Sequence, residues 1–321
     1  TAMDGSVTAT GAGGTAMRIG ALIDVALPLD ELVGQVRAYA DGGLASAWAE
    51  QIFGYDSLTL LGVVGAQVGG IELGTGVVPV YSRHPQVMAQ QALTVQAATG
   101  GRLALGIGMS HQVVVEGLWG LSYDRPARYL REYLAALLPM LSGGVADVHG
   151  EVVTAVTYAP LEIPAAPPPP VLVAALGPTL LRLAGRTADG TVTWMTGTAT
   201  LAGHIVPTIT GAAAGAGRPP PRVVAALPVA VTAHPAGARA TIDEAFALYP
   251  SLPSYRAMLD REGATAPSDI ALVGDEEAVT AGLRRLADAG VTDVVATPAG
   301  PRQDRDRTVA LLCHLARSGL A

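Results

Sequence analysis

The stretch IELGTGVVPVYSRHP, residues 71–85, shows how this chain ends its strands. Its first three residues have the apolar, β-forming character of a buried strand, but Gly74 and Gly76 follow, and Pro79 comes soon after. Proline cannot donate to a sheet ladder, and glycine weakens a strand unless the backbone must come close to another group. The stretch therefore predicts a strand over 71–77 and, at its end, a backbone without side chains that lies close to another group.

The same alternation of β-forming runs and helical patterns extends along the chain. Eight apolar runs indicate strands, at 18–24, 44–50, 71–77, 102–106, 171–175, 191–194, 222–232 and 293–296. Helices are predicted at 30–40, 56–67, 85–98, 128–141, 179–187, 237–249, 253–262 and 276–289. Continuous apolar strands joined by helical crossovers are typical of parallel sheets buried on both faces. Eight such strands favour an α/β fold of the (β/α)8 TIM-barrel type over an open doubly wound sheet.

The domain prediction is a single barrel over 18–321, preceded by a disordered leader over 1–17. The leader is small, polar and rich in glycine, and it lacks the basic and apolar regions of a signal peptide. A segment at about 145–170 breaks the rhythm, because its β-forming residues run into a proline stretch that we expect to be extended and exposed. We interpret this segment as an insertion before the fifth strand.

Composition excludes several classes of function. The net charge of −7 argues against a nucleic-acid partner. All 20 cationic residues are arginine, so a Schiff-base lysine and a P-loop lysine are both excluded. Cys313 is the single cysteine, which excludes an internal disulfide and a multi-cysteine zinc site. The most apolar window, 58–80, is interrupted by polar residues and glycines, so we predict no membrane span and a cytoplasmic protein.

Two loops after predicted strands have the composition of anion sites. In TIM barrels the chemistry lies in the loops that follow the strands. GIGMSHQ (106–112) and AALGPT (174–179) can both offer backbone N–H groups to an anion. Glycine after a strand is most often simple turn chemistry, but two such loops on neighbouring strands favour a phosphate-bearing cofactor. No metal is predicted, because the first strand ends IDVALP, without the His-x-His of a metal-hydrolase barrel.

Four segments together resemble the bacterial-luciferase-like flavin and deazaflavin oxidoreductases. They are WAEQ (48–51), GTGVVPVYSRHP (74–85), GGRLALGIGMSHQ (100–112) and GDEEAVTAGLRRLADAGVTDVV (274–295). The resemblance extends from Arg18 to about Thr297. Within that class, residues 106–134 resemble the branch that uses coenzyme F420. The resemblance implies a luciferase-like barrel, F420 or alternatively FMN as the cofactor, and a homodimer.

The resemblance also implies where the cofactor binds. Members that use the deazaflavin have a non-proline cis peptide bond at the end of the third strand, which falls on Gly76–Val77 here. The implied cofactor positions are Gly76, Val77 and Pro79 behind the ring, Ile107, Gly108, Met109 and Gln112 beside the ribityl chain and ring edge, and Ala174, Ala175, Leu176, Gly177 and Pro178 at the phosphate. We expect Trp119, Trp194 and Met195, together with Leu118, to line a hydrophobic substrate pocket.

The catalytic candidates are His111, Glu50 and Gln51. Many relatives have Glu-His after the second strand, whereas glutamine at 51 can hydrogen-bond but cannot supply a proton near neutral pH. His111 is the first candidate for a general acid, because imidazole titrates near neutral pH; a phosphate contact and a solvent-facing ring are the alternatives that stay open. Glu50 is a candidate to orient the ring, protonate the substrate or pair with an arginine. His84 is expected at a helix N-terminus and His204 at the surface.

Three functions stay open from the sequence. The first is an F420-dependent oxidoreductase that transfers hydride between C5 of the reduced deazaflavin and a small, fairly hydrophobic organic substrate such as an imine or an enone. The second is an FMN-dependent monooxygenase that receives reduced flavin from a partner reductase. The third is a barrel that has lost catalysis and only binds a flavin-like ligand, for which Gln51 is the best support.

Overall fold

The structure, a computed structural model, describes residues 16–164 and 166–320. Its strands are, in chain order, β1 (Arg18–Leu22), β2 (Ser46–Ala49), β3 (Glu72–Thr75), β4 (Val78–Pro79), β5 (Leu103–Gly108), β6 (Asp147–His149), β7 (Thr154–Val156), β8 (Val171–Ala174), β9 (Gly190–Trp194), β10 (Arg222–Val231), β11 (Leu272–Gly274) and β12 (Asp293–Pro298).

Parallel pairing closes these strands into a barrel. The order around the ring is β1, β2, β3, β5, β8, β9, β10 and β12, and β12 pairs again with β1. β4 continues the position of β3 beside β5, and β11 pairs with the far end of β10. Within the described residues the ring therefore has eight positions, which confirms the predicted (β/α)8 barrel.

Helices surround the barrel. They are α1 (Leu29–Asp41), α2 (Ser57–Gln67), α3 (Pro85–Ala98), α4 (Gln112–Gly117), α5 (Pro126–Leu141), α6 (Pro178–Thr187), α7 (Thr198–Thr200), α8 (Val206–Gly215), α9 (Pro235–Ala245), α10 (Pro253–Glu262), α11 (Glu276–Asp288) and α12 (Arg302–Ser318). Local sequence sets their starts: Asp56 caps α2 by accepting from Thr59 N at 2.9 Å, and His84 caps α3 through Gln86 N.

Two predicted elements differ from the structure. The helix expected over 237–249 ends at Ala245, and a 3₁₀ turn over Tyr249–Ser251 follows; Pro250 disfavours continuation of an α-helix into that turn. The third strand stops at Thr75 and resumes at Val78, so the glycines of the opening stretch interrupt it rather than end it. The helices α4, α7, α8 and α12 and the strand β11 have no counterpart among the predicted helices and strands.

The segments predicted as leader and insertion have different outcomes. Residues 1–15 of the leader lie outside the described residues, while Met17, also assigned to the leader, is buried with 8% exposure. The segment at 145–170 contains the antiparallel hairpin β6–β7, so its β-forming residues do form strands. The proline run is not exposed throughout, since Pro169 is buried. The Pro170 carbonyl accepts from Leu105 N at 2.8 Å, and this hydrogen bond joins the run to the sheet.

Ion pairs close the end of the barrel where the strands begin. Arg222 Nη2 lies 2.9 Å from Glu72 Oε1 and 2.7 Å from Asp293 Oδ1, and Arg18 lies 3.2 Å from each of these carboxylates. The Asp293 side chain is only 2% exposed. These residues begin β10, β3, β12 and β1, so charged groups fill the N-terminal end of the barrel. A ligand site must therefore lie at the opposite end, as in other TIM barrels.

Candidate active site

A small hydrophobic cluster fills the inside of the barrel. It consists of Trp48, Ala104, Leu172, Val192, Val224, Ala226 and Val295. Side chains alternate between the two faces of a strand, so residues two positions further along also point inward, nearer the mouth. On four strands these mouth residues are Glu50, Ala174, Trp194 and Thr297.

The Trp48 indole is the largest side chain in this cluster. Its Nε1 donates to Ser46 Oγ at 2.8 Å, which fixes the ring across the barrel. A Cβ at Gly74 would collide with that ring, while one at Gly76 would approach it no closer than 3.9 Å. The glycine at 74 is therefore required by close packing, and it explains why the third strand carries bare backbone.

One wall of the mouth is made almost entirely of backbone. The Gly76–Val77 peptide bond is cis, which confirms the backbone geometry that the resemblance implied. A Cβ at Gly106 would collide with the Thr75 carbonyl, and one at Gly108 would lie 2.7 Å from Val77 Cγ2 and 3.2 Å from Ala174 Cβ. We call this surface the glycine wall: Gly76, Val77, Gly106, Gly108 and Ala174, on the adjacent strands β3–β4, β5 and β8.

Several predicted cofactor residues flank the glycine wall with different orientations. Pro79 and Met109 are buried. Ile107 is fully buried in the core between strands and helices, so it can face the mouth only through its backbone. Gln112 is exposed at the start of α4, where its Nε2 donates to Glu116 Oε2 at 2.9 Å.

The predicted phosphate loop leads from β8 into α6. Ala175 is buried, Leu176 is half-buried, and Gly177 and Pro178 are exposed. Gly177 is the N-cap residue of α6 and has no side chain to cap it, so the first-turn N–H groups are available to a ligand. The backbone of this loop continues directly from Ala174 of the glycine wall, at the end of β8.

A buried histidine holds this loop from behind. His204 Nε2 lies 2.8 Å from the carbonyl oxygen of Leu176, and only 9% of the residue is exposed. The expectation that His204 lies at the surface was wrong. His204 lies in a π-helical turn, Leu201–Ile205, that joins α7 to α8.

The second strand ends in two polar residues with separate roles. The Gln51 side-chain oxygen accepts from Ser57 N at 3.3 Å and from Ser57 Oγ at 3.0 Å, so it satisfies the first turn of α2. Glu50 is half-buried, and burial together with the charge of Asp24 raises its pKa. A raised pKa keeps more of this carboxyl protonated, as a general acid requires.

His111 is close to the mouth but is poorly suited to store a proton. It is half-buried at the N-cap of α4, and its ring centroid lies 5.7 Å from that of Tyr255. Burial lowers the pKa of His111, which favours the neutral imidazole near pH 7. Of the predicted proton donors, Glu50 has the environment that fits the role better.

The side of the mouth that continues from β8 into β9 is aromatic and polar. Trp194 ends β9, and its indole packs edge-on against Phe246 at 5.3 Å and Tyr249 at 6.1 Å between ring centroids. Burial and the charge of Glu50 raise the pKa of Tyr249, so this hydroxyl stays protonated within electrostatic reach of Glu50. Met195 directly follows with a φ of 53°, a left-handed conformation that is uncommon for methionine and found often at functional sites.

Exposed apolar residues surround the mouth. Phe53 after β2 is 76% exposed, Leu118 after α4 is 63% exposed, and Leu248 between β10 and α10 is 66% exposed. Trp119, predicted for the substrate pocket, is only partly exposed and packs against the outer core. An apolar rim of this kind is compatible with the hydrophobic substrate expected from the sequence.

Other kinds of site find no support in the described part of the chain. Residues 16–164 and 166–320 contain no group of three or more His, Cys, Asp or Glu side chains placed to hold a metal ion. Over the same residues, no helix combines the length and the apolar character needed to cross a membrane.

Comparison with known proteins places this geometry in a family. A family model described as luciferase-like monooxygenase matches residues 5–293. An F420-dependent glucose-6-phosphate dehydrogenase from Nakamurella multipartita is 36% identical over 157 residues, which cover 48% of this chain and 43% of that protein. The chain spans less than half the length of the relatives that carry a functional name.

Solved structures share the fold at low sequence identity. The coenzyme F420-dependent tetrahydromethanopterin reductase from Methanopyrus kandleri has a TM-score of 0.78 and 22% identity, over 94% of this chain and 98% of that one. The oxygenating constituent of 3,6-diketocamphane monooxygenase from Pseudomonas putida, in complex with FMN, has a TM-score of 0.74 and 16% identity, over 93% and 97%. At these identities the likeness shows the fold alone.

Proposed function

The chain belongs to the luciferase-like monooxygenase family, and we propose that it is an F420-dependent oxidoreductase. In this proposal it transfers hydride between C5 of the deazaflavin and a small, fairly hydrophobic organic substrate, with reduction of an imine or an enone favoured. The bound cofactor would supply the hydride chemistry, and the protein would supply orientation and a proton.

The observation that carries the proposal is the order of surfaces around the mouth. The strands β3–β4, β5 and β8 are consecutive neighbours in the barrel. They present, in the same order, a glycine-flanked strand break, a glycine-rich strand end and a helix N-terminus. A flat ring, a ribityl chain and a phosphate follow one another along F420, so the three surfaces fit its three parts.

Each part of the cofactor would have its own partners. Gly76, Val77 and Pro79 would support the ring from behind, since the backbone there presents little side chain. Gly108 and the backbone at Met109 would lie beside the ribityl chain. The first-turn N–H groups of α6, at the positive end of the helix dipole, would bind the phosphate.

Glu50 is the residue we propose as the proton donor. It projects into the mouth two residues after Trp48, and burial first, then the charge of Asp24, raise its pKa. Near neutral pH a raised carboxyl pKa increases the fraction that can donate. Burial and the charge of Glu50 raise the pKa of Tyr249, so this hydroxyl would keep its proton.

The FMN-dependent monooxygenase stays the second candidate, because a neighbour in fold binds FMN and the family model is described as a monooxygenase. Matches to relatives named for F420 favour the deazaflavin. Gln51, once the best support for a non-catalytic barrel, is engaged in capping α2. The glutamine at position 51 therefore has a structural explanation and does not support the hypothesis of a non-catalytic barrel.

The decisive experiment is a titration of the purified protein with oxidised F420 and, separately, with FMN, followed by tryptophan fluorescence. Trp194 at the mouth and Trp48 beneath it make quenching a local readout. Tight F420 binding with negligible FMN binding is the expected result. Preferential FMN binding would replace the proposal with the monooxygenase, and deazaflavin binding without turnover of any imine or enone would favour the non-catalytic barrel.

The assembly and location are part of the same proposal. We expect a homodimer in the cytoplasm, acting on a small molecule without nucleic-acid or membrane partners. Light scattering on the eluted protein tests the first expectation, and a monomer mass of 32.5 kDa would contradict it.

A further inference from the structure

Three buried side-chain atoms in the described part of the chain have no hydrogen-bond partner. They are Tyr81 Oη, Trp194 Nε1 and Thr297 Oγ1. Most buried polar atoms in native proteins are paired, so each exception calls for an explanation such as a ligand or water that completes the bond. Two of the three, on Trp194 and Thr297, belong to the mouth of the barrel.

Strand pairing places these two side chains on the same wall. β9 and β12 both pair with β10, where Trp194 lies opposite Ala226 and Thr297 lies opposite Pro228. Trp194 and Thr297 each follow an inward-facing valine by two positions, so both project into the mouth. The β10 residues between them have no side-chain hydrogen-bonding group, which leaves neither atom a partner on that strand.

The chemistry of the two atoms defines what they can bind. An indole N–H donates only, and a threonine hydroxyl can donate to the same kind of partner. The Tyr249 hydroxyl approaches the indole without forming a well-aligned bond, and the rings of Phe246 and Tyr249 hold the indole plane in place. The missing partner is therefore a hydrogen-bond acceptor on a molecule that enters the mouth.

We propose that Trp194 Nε1–H and Thr297 Oγ1–H form an acceptor-binding subsite for the substrate, on the β9–β12 side of the mouth. The inference rests on the proposed function and narrows its substrate class: the substrate carries a carbonyl oxygen or an equivalent acceptor. A site built from buried donors rejects an analogue that lacks the acceptor far more strongly than an apolar pocket would. The apolar rim would then contact the remainder of the molecule.

The three tryptophans allow a direct test by NMR. Protein labelled with [15N]tryptophan gives one indole N–H signal each for Trp48, Trp119 and Trp194, and Trp194→Phe assigns the last. Cyclohexanone and methylenecyclohexane have the same shape but differ in the acceptor, so they are the matched probes. Cyclohexanone should move the Trp194 indole proton downfield, methylenecyclohexane should not, and Trp48, bonded to Ser46, should be unchanged by either.

A second measurement separates this inference from the proposed function. Thr297→Val should weaken cyclohexanone binding roughly tenfold, whereas Thr241→Val, on the exposed face of α9, should not change it. Neither substitution should alter F420 affinity, since Thr297 lies on the wall away from the glycine wall. A Trp194 signal that cyclohexanone never moves, in protein that binds F420, would overturn the subsite alone. Failure of F420 to bind would instead remove the proposed function.

Discussion

The Thr75 hydroxyl holds both backbone groups of Gly106: it donates to the carbonyl oxygen at 2.7 Å and accepts from the N–H at 2.8 Å. Between the end of β3 and the start of β4, this one side chain thus replaces the backbone hydrogen bonds that would pair the strand with β5. Gly106 has to be glycine for this, because a Cβ would collide with the Thr75 carbonyl. The glycine wall therefore depends on a threonine that is itself fully buried.

Thr75→Val tests that dependence with an isosteric change. Valine leaves the Gly106 N–H and carbonyl buried without partners, which should lower the free energy of unfolding by about 2–3 kcal/mol. We also expect F420 affinity to fall, because the wall loses its fixed spacing. Urea unfolding and the fluorescence titration measure the two effects. Thr94→Val on the exposed side of α3 is the control, and equal effects of both substitutions would contradict the role given to Thr75.

Glu50→Gln should stabilise the folded protein at pH 7. Because the pKa of Glu50 is raised in the folded state, that state binds more protons than the unfolded chain once the pH exceeds the ordinary value of 4.5. Folding stability contributed by the protonated carboxyl is thus lost as pH rises through the raised pKa. Glutamine removes that loss, so Tm should rise by a few degrees at pH 7 and hardly at pH 4.

The same variant tests the proton donor. Removal of a general acid should lower kcat roughly 100-fold. The activity of the wild-type enzyme should decline with rising pH, because Glu50 loses its proton. The residual activity of the variant should not show that decline. Glu162→Gln, at an exposed position, controls for the loss of one negative charge. A variant that keeps full activity would exclude Glu50 from proton transfer.

Gln51→Ala is expected to behave as the loss of a helix cap. The Ser57 N–H and hydroxyl lose their shared acceptor, so the free energy of unfolding should fall by about 1 kcal/mol, with little change in F420 affinity. Chemical denaturation and the cofactor titration report the two quantities. A large loss of affinity with unchanged stability would mean that Gln51 contacts the cofactor instead.

The sequence was sufficient to predict most of the barrel. Short apolar strands followed by capped helices are local patterns, so Asp56 and Pro85 could be assigned to helix starts before any contact was known. The reason for glycine at 74 was less accessible. It depends on the position of Trp48 on another strand, and the residues around Gly74 carry no local sign of that contact.

The cofactor side of the site was predicted in more detail than the substrate side, where Leu118, Trp119, Trp194 and Met195 were expected. Glycine-rich strand ends mark the cofactor side, because the absence of a side chain is visible in sequence. The substrate side also contains residues such as Thr297, Phe246 and Tyr249, whose types are ordinary in helices and strands. Only closure of the barrel brings them beside Trp194. His204 was assigned to the surface for a similar reason. It is buried within a π-helical turn, and no residue pattern in the sequence indicated that turn.

Arg222→Met should destabilise the barrel without affecting the site. The substitution leaves the nearly inaccessible Asp293 carboxylate with the Thr292 hydroxyl at 2.7 Å and with Arg18 at 3.2 Å as its cation, and a buried charge that loses a partner costs about 3 kcal/mol. F420 affinity of the folded protein should not change, because the ion pairs lie at the opposite end of the strands. Arg218→Met, which breaks an exposed pair with Asp189, should cost less than about 1 kcal/mol.

His204→Phe should loosen the loop that we assign to the cofactor phosphate. Phenylalanine fills a similar volume but cannot donate to the Leu176 carbonyl, which His204 now holds at 2.8 Å. The loop backbone would then be free to turn, and the first-turn N–H groups of α6 would no longer be fixed toward an anion. We expect F420 affinity to fall roughly tenfold, the value of one well-placed hydrogen bond.

The comparison ligand for this variant is 8-hydroxy-5-deazariboflavin, which has the ring and ribityl chain but no phosphate. Its affinity should be the same for wild type and His204→Phe, because the glycine wall is untouched. A general loss of structure would weaken both ligands equally, so the ratio of the two affinities isolates the phosphate loop. His149→Phe, at an exposed position of the β6–β7 hairpin, should leave both affinities unchanged. An unchanged ratio in His204→Phe would mean that the loop does not bind the phosphate.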